Sequence, residues 1–318
     1  MHTLNASRSI RVAVSLAAVL ASTSCGYHAR SGVDEVLAAR RTPKVLLIGI
    51  DGVRPDVLAE VPTPNLDALA ETGLFIADAR TTRPSVSGPA WSSMLTGVWP
   101  EKHGVTNNDF TGKQFEQYPD FLTRIEQVRP ELSTVAIVDW APLMRSDRGV
   151  PTISDAVDVR HELDGYDLGW AQADARSVEL AVQLLSGADP DAIFVYLGNP
   201  DETSHEHGSI GQEYRAAIEL ADRHVGQIVE ALRARPSYQD EDWLILASTD
   251  HGRRSDGGHG GDSPQEMTIF VLASGNSTTA AVAPDSTFIV DVAVTALAHL
   301  GIEIQPAWRL DGTALLGR

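Results

Sequence analysis

Residues 44–56 read KVLLIGIDGVRPD, and this stretch decides the fold class. Lys44 to Ile50 is a short apolar run rich in β-formers that ends abruptly at Asp51-Gly52, which predicts a buried strand delivering a carboxylate at its C-terminal edge. Working outward, four further runs have the same character: Thr134–Val138, Ala192–Leu197, Trp243–Ser248 and Thr268–Leu272. Between them the apolar spacing changes to three and four. It predicts helices near Thr63–Thr72 and over Ala173–Leu185, Gln212–Arg233 and Val290–Leu300. In the longest, Tyr214, Ile218, Leu220, Ala221, Val225, Ile228, Val229 and Leu232 form the stripe expected to be buried. Strands alternating with helices imply an α/β sandwich of three layers, with a central, mostly parallel sheet and helices on both faces. In such folds the ligand crevice lies at the carboxyl ends of the strands.

The chain has 318 residues, of which 43% are hydrophobic, enough for one sizeable enzyme domain. Its formal net charge of −18 excludes a nucleic-acid polymer as the expected partner, since that binding relies on clustered Lys and Arg. The same charge would repel an anionic ester unless bound cations offset it, so some acidic residues are expected to hold metal. At the N-terminus, Arg8 and Arg11 precede an apolar run, Val12–Ala21, too short to span a bilayer. Residues 1–24 therefore read as an export signal, 25–42 as a polar segment and 43–318 as a single catalytic domain. The single cysteine, Cys25, follows Ser22, Thr23 and Ser24, so the segment resembles a lipoprotein signal, although Ser22 stands where such signals usually carry Leu or Val. Lipidation of Cys25, with membrane attachment, and ordinary cleavage are both consistent with it. The expected location is the cell envelope or the exterior. One cysteine supports no disulfide framework.

Three of the strands run into metal-ligand residue types: Asp51 after the first, Asp201 and His205 after Ala192–Leu197, and Asp250-His251 after Trp243–Ser248, followed by His259. Taken singly, each has an ordinary explanation as a turn or solvated residue. Together at strand ends, carboxylate and imidazole suit zinc. Asp201 and His205 share one face of a helical turn, with Glu202, Glu206 and His207 as competing neighbours. In RPSVSGPAWSSMLTG, residues 83–97, the hydroxyl candidates are Ser85, Ser87, Ser92 and Ser93. Gly88-Pro89 single out Ser87, at or near a helix N-terminus whose free N–H groups can hold a phosphoryl oxygen.

The segments LIGIDGVRPD, TPNLDALAETG, RPSVSGPAWSSMLTG, HGVTNN, PDETSHEHG and STDHG, in that order, resemble the type I phosphodiesterases and nucleotide pyrophosphatases of the alkaline phosphatase superfamily. The resemblance covers nearly all of the chain after the signal and implies an alkaline-phosphatase-like fold with two zinc ions, other divalent metals being possible. It implies that Asp51, Ser87, Asp250 and His251 surround one ion, that Asp201, His205 and His259 hold the other, and that Asn108 binds a phosphoryl oxygen, with Asn107 as its neighbour. His103 or His299 could stand in for His259, which lies much closer to the DHG motif than the last histidine of nucleotide pyrophosphatases. The implied activity is hydrolysis of a small phosphate ester, a diester or nucleotide pyrophosphate, with Ser87 as nucleophile.

Two departures keep relatives of that chemistry open. Serine replaces the threonine nucleophile usual in nucleotide pyrophosphatases, as in alkaline phosphatases, which leaves a phosphomonoesterase in play. The SGPAWSSMLTG stretch also resembles the sulfatase motif, but Trp91 stands where that pattern requires Arg. A phosphoryl transferase would need acceptor binding and usually several membrane spans. A non-catalytic envelope binding protein would not need Ser87 and six other candidate ligands. Of the stretch between Asp109 and Gly169, the aromatic residues Phe110, Tyr118, Phe121, Trp140 and Tyr166 read mainly as packing, with base stacking as the other use.

Overall fold

The computed structural model describes residues 41–145, 149–278 and 284–316; the readings of residues 1–40, including the export signal and Cys25, fall outside them. In chain order the strands are β1 (Thr42–Ile50), β2 (Leu74–Arg80), β3 (Thr134–Val138), β4 (Val159–Glu162), β5 (Ala192–Leu197), β6 (Glu241–Ser248) and β7 (Thr268–Ser274). The helices are α1 (Pro55–Leu58), α2 (Pro64–Glu71), α3 (Ser87–Thr96), α4 (Pro100–His103), α5 (Phe121–Val128), α6 (Gly165–Leu168), α7 (Trp170–Gly187), α8 (Asn199–His207), α9 (Gln212–Arg233), α10 (Pro264–Met267) and α11 (Asp291–His299).

The strands form one seven-stranded sheet in the order β2-β7-β6-β1-β5-β3-β4. The run β6-β1-β5-β3-β4 is parallel throughout, while β7 lies antiparallel to both β6 and β2. Strand β1 sits at the centre, buried on both faces. Val45 and Leu47 point into one core with α3, α5 and α11, through Met94, Leu95, Phe121, Ile125, Ala293 and Leu297. Leu46, Ile48 and Ile50 point into the other, with α2, α7 and α9, through Leu66, Ala181, Tyr214, Ile218 and Val225. This is the three-layer arrangement expected from the sequence, and period-two alternation along a doubly buried strand is what divides the two cores.

Every strand and helix read from apolar spacing is present, with ends shifted by a few residues. The stripe of α9 is buried as expected except Leu220, which is half-buried. Strands β2 and β4 carried too weak a signal. β2 alternates buried and exposed residues and has a register shift between Ile76 and Ala79, and the four residues of β4 lie at the opposite edge, none fully buried. An edge strand needs little apolar surface, so little of it shows in the sequence. Among the described residues no helix is long and apolar enough to cross a membrane.

Candidate active site and metal centre

The chemistry-bearing residues meet where β1, β5 and β6 end. Asp51 follows β1 directly, and its N–H donates to Leu197 O at the end of β5 (2.9 Å). Gly52 then turns the chain at φ +66, in a left-handed conformation that suits glycine. A side chain there would lie 2.5 Å from Asp201 Oδ1. Asp250 and His251 follow β6, Asp201 and His205 sit in α8 just beyond β5, and Ser87 is the first residue of α3.

The first group comprises Asp51, Asp250 and His251, all fully buried, with one ligand atom from each within 4.8 Å of the others. Asp51 Oδ2 accepts from Trp91 Nε1 (2.9 Å) and from the Tyr196 hydroxyl (2.5 Å). Asp250 Oδ1 accepts from Gly52 N–H (3.2 Å). The other oxygens, Asp51 Oδ1 and Asp250 Oδ2, are buried without a hydrogen-bond partner. His251 Nδ1 lies 3.1 Å from Gly252 O and must donate there, so Nε2 carries a bare lone pair. That lone pair faces Asp51 Oδ1 at 3.4 Å, Asp250 Oδ2 at 3.5 Å and Ser87 Oγ at 3.3 Å. Burial and the charges of Asp250 and Asp201 push the Asp51 carboxyl well up, and burial pushes His251 well down. Acceptors converging on one point, with nothing to donate to them but one hydroxyl, form a donor set that fits a divalent cation.

The second group comprises Asp201, His251 and His259, again within 4.8 Å. His205 adjoins it, its Nε2 lying 3.2 Å from Asp201 Oδ2 and 3.3 Å from His259 Nε2. His259 Nδ1 meets Ser85 O at 2.9 Å, which turns Nε2 inward, and its ring stacks on that of His251 at 4.0 Å. Burial raises the Asp201 carboxyl, but Arg253, His205, His251 and His259 outweigh it and hold it well below the usual range. Arg253 is fully buried; its Nη1 donates to Asp201 Oδ1, while Nε (2.8 Å) and Nη2 (2.5 Å) donate to Gly257 O. The loop bearing His259 is tied by buried Glu266, whose Oε1 accepts from Gly261 N–H and from Arg254, each at 2.9 Å.

Thus Asp51, Asp201, His205, Asp250, His251, His259 and Ser87 lie close together, with His251 between the two groups rather than in the first alone. Asn108 also arrives: its Oδ1 accepts from Gly88 N–H at 2.7 Å, leaving its Nδ2 to donate, whereas the Asn107 amide serves a turn to Asp109 N. One expectation changes here, because Gly88 N–H at the head of α3 is occupied by Asn108 rather than free for a phosphoryl oxygen. Of the competing residues, His207 faces Glu206 at 3.6 Å, and buried His103, brought down to about 3 by burial, bonds Ser93 Oγ at 2.9 Å. His299 donates to Asp242 O (2.7 Å). Phe110, Tyr118, Phe121 and Trp140 pack inside, but Tyr166 is 66% exposed with its ring against Trp170.

Sequence reasoning missed Trp91, Tyr196 and Arg253 as site residues. Tyr196 is hidden in an apolar strand one residue from its end. Trp91 drew notice only as a departure from another motif, and Arg253, two residues past His251, drew none.

Comparison with known proteins agrees with this architecture. A 2-O GAG sulfatase structure superposes with a TM-score of 0.69 at 14% identity, covering 86% of this chain and 73% of that one. Murine ectonucleotide pyrophosphatase/phosphodiesterase 5 gives 0.62 at 15% identity, over 83% of this chain and 96% of that one. The molecule therefore has the alkaline-phosphatase-like α/β fold. The type I phosphodiesterase / nucleotide pyrophosphatase family model matches residues 45–255, and the chain belongs to that family. An uncharacterized pyrophosphatase/phosphodiesterase of Schizosaccharomyces pombe is 28% identical over 224 residues, 65% of this chain and 44% of the relative. The chain spans about half the length of the curated relatives it matches.

Proposed function

We propose that this chain is a metal-dependent phosphoric ester hydrolase acting on a small diester or nucleotide-like pyrophosphate, with Ser87 as nucleophile. The observation that carries the reading is the Ser87 hydroxyl lying 3.3 Å from the bare His251 Nε2, beside two buried carboxylate oxygens that lack donors. Asp51, Asp250 and His251 with Ser87 would hold one zinc-class ion, and Asp201, His205 and His259 the second. Bound there, such ions supply Lewis-acid stabilisation of the attacking and leaving oxygens.

The chain's own residues account for the rest. Ser87 presents Oγ at the head of the ten-residue helix α3, whose dipole favours developing negative charge. Asn108, its carbonyl held by Gly88 N–H, offers Nδ2 to a non-bridging phosphoryl oxygen. Attack by Oγ forms the Ser87–phosphorus bond as the bond to the leaving alcohol or phosphate breaks, the hydroxyl proton passing to solvent or the leaving oxygen, and water then hydrolyses the seryl ester and frees the Ser87 hydroxyl. A serine–histidine–carboxylate triad is not needed: His251 Nδ1 is engaged by a backbone carbonyl, not by a carboxylate. From the sequence alone we further infer export and residues 43–318 as the catalytic domain, with lipid attachment at Cys25 and ordinary signal cleavage as the two routes.

The test is a substrate panel of bis-p-nitrophenyl phosphate, p-nitrophenyl phosphate and p-nitrophenyl sulfate, run on chelated and zinc-reloaded protein. Zinc-restored cleavage of phosphate esters is expected, with the diester preferred. Undiminished turnover after chelation, or sulfate cleaved faster than either phosphate, would overturn the reading.

A further inference from the structure

The Asp51 carboxylate is held from one side only. Trp91 Nε1 (2.9 Å) and the Tyr196 hydroxyl (2.5 Å) both donate to the same oxygen, Oδ2, while Oδ1 is buried with no donor and faces His251 Nε2 at 3.4 Å. The two donors are rigid. Trp91 is 0% and Tyr196 2% exposed, and their rings pack at 5.0 Å between centroids. Trp91 lies over Gly49 of β1, where an added Cβ would fall 2.4 Å from its Cη2. Asp250 repeats the pattern, with Oδ1 tied to Gly52 N–H and Oδ2 without a donor.

We propose that Trp91 and Tyr196 are positioning residues that fix Asp51 as a one-oxygen ligand and so set the first site's preference for zinc-class ions over calcium. The inference rests on the reading of Asp51 as a metal ligand. Asp51 Oδ1, Asp250 Oδ2, His251 Nε2 and Ser87 Oγ make a set of four donors including one imidazole, which matches zinc. Calcium takes six to eight oxygens and commonly grips a carboxylate through both. Two hydrogen bonds on Oδ2 oppose the rotation about Cβ–Cγ that would bring both oxygens of Asp51 to one ion. Outer hydrogen-bond partners of this kind generally alter affinity through the ligand they orient.

The experiment uses the full chain with Tyr196→Phe, which removes only the donor hydroxyl, and Trp91→Phe, which removes the donor N–H together with part of a buried ring. Zinc and calcium chloride are titrated into chelated protein by equilibrium dialysis, with bound metal measured directly and circular dichroism as the folding control. Each variant should bind zinc about 10–100-fold more weakly at one of two sites, with calcium affinity unchanged or higher, so that the zinc-to-calcium ratio falls. Unchanged zinc affinity and ratio in both variants, against a wild type that binds two zinc ions, would overturn this inference alone. A wild type that binds no zinc-class ion would overturn the functional reading and this inference together. Tyr196→Phe removes a single oxygen atom and decides the matter even where Trp91→Phe fails to fold.

Discussion

The substitution Asp51→Asn should make the metal-free protein more stable and the zinc-loaded protein less so. In the wild type, Asp51 Oδ1 is buried without a donor and faces His251 Nε2 at 3.4 Å, while Oδ2 already accepts two hydrogen bonds. Asparagine keeps the shape. Its carbonyl can take over the bonds from Trp91 and Tyr196, and its NH₂ can donate toward His251 Nε2 and Asp250 Oδ2. Satisfying one buried acceptor in this way is worth roughly 1–3 kcal/mol, which for a domain of this size raises Tm by about 2–4 °C per kcal/mol. With zinc at a thousandfold excess over its Kd, the wild type gains about 4 kcal/mol, and a variant stripped of one ligand loses most of that gain. The two proteins should therefore exchange rank between EDTA and zinc in thermal denaturation. The pH dependence has a definite sign. The Asp51 carboxyl is raised above its ordinary value of 3.8 by burial and by Asp250 and Asp201, so in EDTA its stabilising contribution is present below that value and lost as pH rises through the folded one. The advantage of the asparagine variant should grow with pH. A variant less stable than wild type in EDTA at pH 8, or one with an equal zinc-induced shift, would refute the reasoning.

Ser87→Ala should lower turnover of bis-p-nitrophenyl phosphate by roughly 10³-fold or more while zinc stoichiometry persists, because Asp51, Asp250 and His251 remain; near-normal turnover would remove Ser87 from the mechanism. Far from the site, Arg235 and Glu241 form a buried pair, with Trp243 Nε1 (2.7 Å) and Ser237 Oγ (2.8 Å) completing the carboxylate's bonds. Burial raises the Glu241 carboxyl, but these donors outweigh it and bring it from 4.5 to about 2. Its stabilising contribution is thus present above 4.5 and lost as pH falls toward 2. Glu241→Gln should cost about 1–3 kcal/mol at pH 7, because Arg235 keeps Asp189 at 2.6 Å and the carbonyls of Leu185 and Ala188, and should flatten the acid limb of a urea-denaturation series; an unchanged acid limb would count against the pairing.

The strand β1 and its carboxylate could be read from KVLLIGID because a doubly buried parallel strand is apolar without alternation and the chain must then turn at Gly52. Helix α9 could be read because one of its faces is buried along its length, in the core it shares with β1, α2 and α7. The edge strands could not, since β2 and β4 bury too little to impose a pattern. The candidate ligands were legible as residue types at strand ends, and comparison of motifs placed them in order. Their sharing was not: His251 lies between two groups because its Nδ1 is turned to Gly252 O, a matter of side-chain rotation.

What the sequence by itself determined is which residues are apolar enough to be buried and which carry metal-binding chemistry, because composition and spacing are local properties. Only the tertiary structure decided which oxygen of each carboxylate is tied and which is bare. Trp91 reaches Asp51 across 40 positions and Tyr196 across 145, while Arg253 reaches Asp201 across 52. Hydrogen bonds over such separations exist only once the parallel sheet has brought the ends of β1, β5 and β6 side by side, since no local propensity encodes them.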